Sequence, residues 1–159
     1  MTEPPLDLTT TEGLFDALVL NGVAPARVQG FTPEQLAQVH AQACADLEAG
    51  RYHEAVDRGA WLVEQDPWDR RHHLVLAAAL QHLGQWEAAG RFYVQALLMQ
   101  ATDAHCAYRA GECLGAMASF EEAREAFETA IQLSWLDPAY EEVRAAAQRR
   151  LDQIAQLGA

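Results

Sequence analysis

The stretch LGQWEAAGRFYVQAL, residues 83–97, decides the fold. It reads as a glycine turn followed by an amphipathic helix with alanine and, four residues later, a tyrosine on one face. A turn residue, an aromatic residue and an alanine recur in the same order 34 positions earlier and 34 positions later. The three sets are Gly50, Tyr52 and Ala55; Gly84, Trp86 and Ala89; and Ala118, Phe120 and Ala123.

A period of 34 residues built from a helix, a turn and a second helix is the signature of the tetratricopeptide repeat (TPR). Small residues in the same register, Ala43, Ala77 and Gly111, fit the close approach of paired helices. We therefore predict an all-α solenoid of three tandem TPR helix-turn-helix repeats at about 36–69, 70–103 and 104–137, flanked by an N-terminal helix and a C-terminal capping helix at about 138–157. Residues 1–30 form an N-terminal acidic tail and helix, and residues 31–159 the repeat domain.

Capping signals place the helix ends. Thr32, Pro33 and Gln35 form a capping box with proline at the first helical position, and Phe31 and Leu36 can pack across it. The other predicted starts are Thr9 with Glu12 for a helix over about 10–20, Asp69 for 70–83, Thr102 or Asp103 for 104–117, Ser119 with Glu122 for a helix ending near 134, and Asp137-Pro138 for the last helix.

Composition limits the classes of function. The 159 residues carry a formal net charge of −12, whereas nucleic acids and anionic membrane surfaces require a basic face. Three cysteines, an odd number, do not make a disulfide framework and favour a reduced, cytoplasmic setting. The N-terminus lacks the pattern of a signal peptide, and no apolar run is long enough to span a membrane. Residues 1–8, acidic and rich in proline, are expected to be disordered.

The first helix of each repeat lines the concave side of such an array, with its positions 2, 5, 6, 9 and 12 facing inward. These positions are largely small or apolar in the first two repeats, which suits an extended peptide with a few aliphatic or proline anchors. The alternative is that they simply pack on neighbouring helices. The candidate peptide-binding residues are Ala37, His40, Ala41, Cys44 and Leu47 in the first repeat, Arg71, Leu74, Val75, Ala78 and Gln81 in the second, and His105, Tyr108, Arg109 and Glu112, with Gly115, in the third.

Other chemistries find little support in the sequence. His40 and Cys44 have a metal-ligand spacing on one helix face, but no third ligand is evident, and we expect neither a metal nor another cofactor. The same two residues stand where carboxylate-clamp repeat domains need Lys and Asn, which excludes that mode of binding. No phosphate loop, nucleophile elbow or paired-carboxylate site is present, and we do not expect an enzyme.

Several conspicuous side chains are given structural roles. Of the adjacent histidines, His73 is expected to pack between helices and His72 to be exposed. Cys106 and Cys113 are interpreted as buried thiols between helices, and Trp86 as a core residue.

With the repeats placed, the chain resembles the class II chaperones of bacterial type III secretion, the SycD/LcrH type. The pieces that carry the resemblance are AGRYHEAV (49–56), DPWDRRHHLVLAAALQHLGQWEAA (66–89), ALLM (96–99) and YRAGECLGAMASFEEA (108–123). Its more specific parts are a D-x-x-D-x-R motif that begins at Asp66 and an A-x-E-C-L motif at 110–114. The resemblance covers roughly residues 30–155.

The resemblance implies a cytoplasmic chaperone for secreted hydrophobic translocator proteins. The chaperone itself is expected not to insert into a membrane. Such chaperones hold an extended N-terminal segment of their client, typically P-x-L-x-x-P, in the concave groove until export. The resemblance also implies a homodimer, for which Leu14, Phe15 and Leu18 of the N-terminal helix are the candidate contacts. The alternative is that this helix packs against the first repeat.

Two further expectations stay open at this point. Family members usually carry aromatic residues on the first concave helix, where this chain has His40, Cys44 and Leu47. The groove is therefore expected to differ in shape, and whether the recognised motif differs too is left open. The second reading of the whole chain is a general TPR scaffold or regulator that bridges folded proteins in a secretion or assembly system.

Overall fold

The computed structural model describes residues 8–157 of the chain. Residues 1–7 and 158–159 lie outside the described part, and with them most of the segment expected to be disordered. Every regular element between residues 8 and 157 is helical, which confirms the predicted all-α fold.

Three helix pairs follow an N-terminal helical segment and precede a long last helix. The N-terminal segment comprises α1 (Thr11–Phe15), which continues as a π-helical turn (Asp16–Leu20), and α2 (Pro25–Val28). The pairs are α3 (Pro33–Glu48) with α4 (Tyr52–Gln65), α5 (Arg70–His82) with α6 (Trp86–Met99), and α7 (Ala104–Ala116) with α8 (Phe120–Ser134). A 3₁₀ turn (Pro138–Tyr140) leads into α9 (Glu141–Leu157).

Most helix starts coincide with the predicted caps. The Thr32 hydroxyl accepts from the Gln35 backbone N–H at 3.2 Å, while the Gln35 side chain accepts from the Thr32 N–H at 2.8 Å. The Asp69, Asp103 and Asp137 carboxylates accept backbone N–H groups at the starts of α5, α7 and the 3₁₀ turn. Each cap satisfies backbone donors that have no partner inside the helix.

Two capping predictions are wrong. Thr10, not Thr9, caps α1, and its hydroxyl accepts from Gly13 N–H at 3.0 Å. Two adjacent threonines are chemically equivalent, so the sequence alone does not decide between them. Ser119 stands at the N-cap of α8 but makes no side-chain capping bond, and the box with Glu122 does not form.

The turns inside the three pairs share one backbone geometry. Gly50, Gly84 and Ala118 have φ angles of +74°, +72° and +60°. In each turn the following residue donates its N–H to a carbonyl five residues back, as in Gln85 N–H to Leu80 O at 2.9 Å. The 34-residue period therefore marks a left-handed conformation, which the third repeat adopts with alanine instead of glycine.

The close helix contacts depend on small residues. A Cβ on Gly111 would lie 2.8 Å from Cε1 of Phe127, so this ring fits only because Gly111 lacks a side chain. In the second pair Ala77 and Tyr93 belong to one buried cluster. In the first pair Gly59 replaces the ring and brings α4 close to the next helix, since a Cβ there would lie 3.1 Å from Cα of Leu76.

The helices stack in chain order, each packing on the next from α3 to α9, and α3 also contacts α5 as α7 contacts α9. The first helices of the pairs, α3, α5 and α7, therefore form the inner layer and α4, α6 and α8 the outer one.

Two buried polar clusters tie the layers together. Arg70 of α5 pairs with Asp103, and its Nε donates to Ala96 O at 3.1 Å, which links the second pair to the third. Asp46, 2% exposed, accepts from Arg51 and pairs with Arg58 inside the first pair. Burial alone would raise the pKa of Asp46, but hydrogen bonds from Arg51 and Gln42 and the two guanidinium charges outweigh it and lower that pKa.

Candidate peptide-binding groove

The inner layer presents most of the predicted groove residues at its surface. Their shared feature is that each side chain is at least partly accessible to solvent. Half-buried are His40, Cys44, Leu47, Leu74, Ala78, Gln81, Tyr108, Glu112 and Gly115; exposed are Ala37, Ala41, Arg71, His105 and Arg109.

Val75 does not belong to this surface. It is only 4% exposed and lies in one apolar cluster with Ala43 and Leu62. Because α5 is covered by α3, α4 and α6, it has a wider buried face than a helix with one partner.

The prediction that His72 is exposed is also wrong, because neighbouring helices cover this face of α5. His72 is 2% exposed, its ring lies 5.5 Å from that of His40 on α3, and its Nδ1 hydrogen-bonds the Asp66 carbonyl at 3.2 Å. His73 packs as expected: it is 4% exposed and its ring lies 5.9 Å from that of Phe92.

A cavity opens at each end of the groove. The N-terminal cavity, about 530 Å³, lies between α2, α3 and α5, and includes Arg27, Phe31, Leu36, Ala37 and Arg71 in its lining. The C-terminal cavity, about 380 Å³, lies where α7 faces α9, and is lined in part by Gln81, Trp86, Glu112, Phe120, Arg150 and Ile154. Predicted groove residues therefore contribute to both cavities.

Glu112 is the centre of a polar network on the inner face. Its carboxylate accepts from Tyr108 at 3.0 Å, from Arg109 at 2.9 Å and from Arg150 of α9 at 2.8 Å. Gln81, which itself accepts from the Tyr93 hydroxyl at 2.8 Å, donates to the same carboxylate at 3.4 Å. Burial opposes ionisation, but the Arg150 hydrogen bond, the Arg109 charge and the Tyr108 bond together lower the pKa of Glu112.

The charges of the groove largely cancel. Arg71 binds Asp69 and, chiefly through that hydrogen bond, lowers the pKa of the carboxyl to about 2. Burial, aided by the charge of His72 and Arg71, lowers the pKa of His40, and burial with Arg109 lowers that of His105. Both imidazoles therefore favour the neutral form more than a free histidine does, and the surface suits an uncharged, apolar segment.

The three thiols differ in access. Cys106 and Cys113 are 1% and 0% exposed, as predicted, whereas Cys44 is half-buried in the groove. Burial raises the pKa of all three thiols, to about 11 for Cys113. The Cys44 sulfur lies 3.5 Å from Nε2 of His40, but no group of three or more metal-binding side chains occurs within residues 8–157.

Sequence reasoning missed the contribution of α9 to the groove. This part of the chain was predicted only as a capping helix, yet its Arg150 donates to the Glu112 carboxylate across the inner face. Trp86, expected in the core, is half-buried and lines the C-terminal cavity. No local pattern in α9 marks this role, because it depends on the angle at which α9 meets α7.

The N-terminal helical segment leaves apolar side chains in solvent. Leu14 and Leu18 are half-buried, Ala17 is fully buried, and Phe15 and Val19 are 55% and 62% exposed. The segment therefore packs one edge on the chain and leaves another edge uncovered. None of the helices within residues 8–157 has the length and apolarity needed to cross a bilayer.

Fold and groove together define a helical-repeat protein of the tetratricopeptide type. The sequence profile of the bacterial transcriptional activator domain (BTAD) matches residues 8–103, and the chain belongs to this family. The matched part runs from α1 through α6 and so contains the first two helix pairs. No curated protein matches the chain in sequence.

Solved structures match the fold over most of its length. A type III secretion system complex from Aeromonas hydrophila is 25% identical, with 91% of this chain and 97% of that chain covered and a TM-score of 0.85. PcrH of Pseudomonas aeruginosa, solved with the chaperone binding region of PopD, is 27% identical, with 82% and 98% covered and a TM-score of 0.78. PcrH with the chaperone binding region of PopB is 29% identical, with 77% and 98% covered and a TM-score of 0.73.

These structures confirm the resemblance to class II translocator chaperones that the sequence motifs predict. Because it covers 91% of this chain, the likeness reaches beyond residue 103, where the family profile ends, and into the third helix pair. The translocator chaperone SycD of Yersinia enterocolitica, 24% identical with a TM-score of 0.75, has the same fold.

Proposed function

We propose that this protein is a cytoplasmic chaperone that holds an extended segment of a hydrophobic, secreted translocator protein on its inner face before export. The observation that carries the proposal is the likeness to PcrH, which is solved with the chaperone binding regions of PopD and PopB. Sequestering such a segment keeps an aggregation-prone client soluble and apart from premature partners.

The chemistry of the groove supports this function. Leu74, Ala78 and Ala41 offer apolar contacts to alternate side chains of an extended peptide, and Tyr108 and Gln81 offer hydrogen-bonding groups. The neighbouring charges are already paired, so an uncharged client segment leaves no ion without a partner. Binding of this kind makes and breaks no covalent bond, and we propose no catalytic role.

The proposal includes a homodimer. Phe15 and Val19 expose apolar surface on the N-terminal helical segment, and a second copy would cover it. Leu14 and Leu18 lie half-buried on the same segment and would complete the contact. Sedimentation of the wild type and of Phe15→Glu tests this part separately from client binding.

The groove assignment is tested with Leu74→Glu and Ala78→Glu. A carboxylate placed under a bound apolar segment loses its hydration without gaining a partner, so affinity for the client is expected to fall by about 100-fold or more. Val94→Glu is the matched control, because Val94 is 46% exposed on the outer helix α6. Clients would first be recovered by pull-down from the native cytosol, and the bound segment mapped and synthesised for titration.

Circular dichroism of each variant would show that the helices remain folded. Normal client affinity in both groove variants would refute the assignment.

A regulatory scaffold is the second candidate, and the family match favours it, since that family is described as a transcriptional activator domain. A scaffold should recover a folded partner that no short peptide displaces. A chaperone should recover a translocator through one short segment.

A further inference from the structure

Another cavity, of about 380 Å³, opens on the first helix pair outside the candidate groove. Its lining residues are Val39, Glu54, Asp57, Arg58 and Trp61. None of them is a candidate groove residue. On the other side of α4, Val56, Ala60 and Val63 pack against the buried cluster that includes Leu76 of α5. The cavity is therefore turned away from the second pair.

The floor of this cavity is apolar and preformed. Val39 and Trp61 are half-buried, and both pack against the apolar cluster of the first pair. The Trp61 ring also meets the Phe31 ring in an edge-to-face contact, with centroids 5.3 Å apart and an angle of 84° between the rings. These contacts fix the orientation of the indole, which offers an aromatic surface to a ligand.

Two carboxylates stand beside the aromatic floor. Glu54 and Asp57 are exposed and lie one turn apart on α4. Neither side chain has an ion pair or a hydrogen bond to any of residues 8–157. Arg58 also lines the cavity, but it is paired with Asp46, which is 2% exposed. The cavity therefore combines two unpaired negative charges with an aromatic ring.

A lysine or arginine side chain complements each part of this lining. Its aliphatic stem covers apolar surface while its charged head stays in contact with water. A cation is attracted to the face of an indole within about 6 Å of the ring centre, and the two carboxylates supply the opposite charge. A second copy of this chain is a poor match. The exposed Phe15 of its N-terminal segment stands between Glu12 and Asp16, which would bring like charges to the cavity.

We propose that this cavity docks a basic segment of a partner protein. A lysine or arginine stem of the segment lies on Trp61, and its charged head lies between Glu54 and Asp57. A neighbouring aliphatic side chain of the segment covers Val39. Because the cavity and the candidate groove share no residue, a client and the basic partner are expected to bind together. The proposal therefore does not rest on the proposed function.

The probe is a blocked peptide of alternating leucine and arginine, titrated into the ¹⁵N-enriched full chain. It should shift the indole N–H resonance of Trp61 and the amide resonances of Glu54 and Asp57, with a dissociation constant of about 1 mM or tighter. The same peptide with glutamate in place of arginine should leave these resonances unchanged. Raising the salt concentration to about 0.5 M should weaken the binding of the arginine peptide, because salt screens exposed charges.

Two matched pairs of substitutions test the position of the site. Glu54→Gln combined with Asp57→Asn should weaken binding of the arginine peptide about fivefold or more. The third helix pair carries exposed carboxylates at the equivalent positions, Glu122 and Glu125, but Thr129 stands in place of the indole. Glu122→Gln combined with Glu125→Gln removes the same number of charges there and should change the affinity by less than about twofold.

Trp61→Leu keeps an apolar floor but removes the aromatic ring, and it should weaken binding about threefold or more. Circular dichroism shows whether each variant is folded. Equal losses in both pairs of charge variants would mean nonspecific attraction to an acidic protein, and shifts confined to groove residues such as Leu74 would place the peptide in the groove. Trp61 indole shifts that grow with protein concentration, without any peptide, would mean that a second copy covers the cavity. Each of these results, like the absence of any shift, overturns the proposal.

Discussion

Gly90 and Gly111 lie on the facing helices α6 and α7, and replacing each with alanine is expected to change stability in opposite directions. A Cβ on Gly90 would meet Cβ of Cys113 at 3.5 Å, an ordinary contact. A Cβ on Gly111 would lie 2.8 Å and 2.9 Å from Cε1 and Cδ1 of Phe127, a ring that is 2% exposed and cannot move aside.

The magnitudes follow from two opposing terms. Alanine is about 1 kcal/mol more favourable than glycine inside a helix, and Gly90→Ala should gain roughly that amount. Gly111→Ala gains the same term but overpacks the core, which costs about 1–3 kcal/mol. The net result for Gly111→Ala is a loss of about 1 kcal/mol, so the two variants should differ by about 2 kcal/mol in free energy of unfolding.

Urea unfolding followed by circular dichroism measures this difference directly, and thermal unfolding should show a gap of about 4–8 °C between the variants. Phe127→Leu removes the ring, so adding Gly111→Ala to that variant should no longer carry the overpacking cost. A Gly111→Ala protein as stable as Gly90→Ala in the wild-type background would refute the packing argument.

Three shorter predictions concern single residues. Ala118 has a φ of +60°, so Ala118→Gly should relieve strain and raise the free energy of unfolding by about 0.5–1 kcal/mol in urea titrations, with a loss contradicting the turn geometry. The lowered pKa of Glu112 stabilises the fold above its unfolded pKa of about 4.3, and this stability is lost as the pH falls through the folded pKa. Glu112→Gln should therefore show a shallower fall in melting temperature on acidification than the wild type. An unchanged slope would count against the network. Iodoacetamide at pH 8 should modify Cys44 and spare the buried Cys106 and Cys113, as measured by mass spectrometry. Bound client should protect Cys44, and equal labelling with and without client would contradict the placement of Cys44 in the client groove.

The period and the caps made the fold predictable from the sequence because both act locally. A cap such as Asp103 satisfies backbone groups two and three residues away, and the positive φ of Gly84 is set within one turn. The predicted helices at 70–83 and 104–117, and the predicted helix end near 134, therefore agree with the observed bounds to within one residue. The 3₁₀ turn before α9 was not predicted, since Asp137-Pro138 signals a start without fixing the type of helix.

The surface of the groove was less predictable, because it depends on how separate helices cross. His72 and Val75 occupy positions that would be open on an isolated helix pair, but α3 and α4 cover them. The bond between Glu112 and Arg150 joins residues 38 apart in sequence, and only the placement of α9 creates it. The roles of the individual groove residues in binding stay predictions.

The Arg70–Asp103 pair bears on whether the repeats are interchangeable modules. Aspartates recur in register at 69, 103 and 137, but the positions equivalent to Arg70 hold Leu36 and Ala104. Within residues 8–157, the second repeat is therefore the only one whose first helical residue pairs with the N-cap aspartate of the next repeat. An array that shuffled these repeats, or that ended on the second one, would leave the largely buried Arg70 guanidinium without its carboxylate partner. Arg70 therefore makes the second and third repeats specific neighbours, which a uniform array of identical repeats would not be.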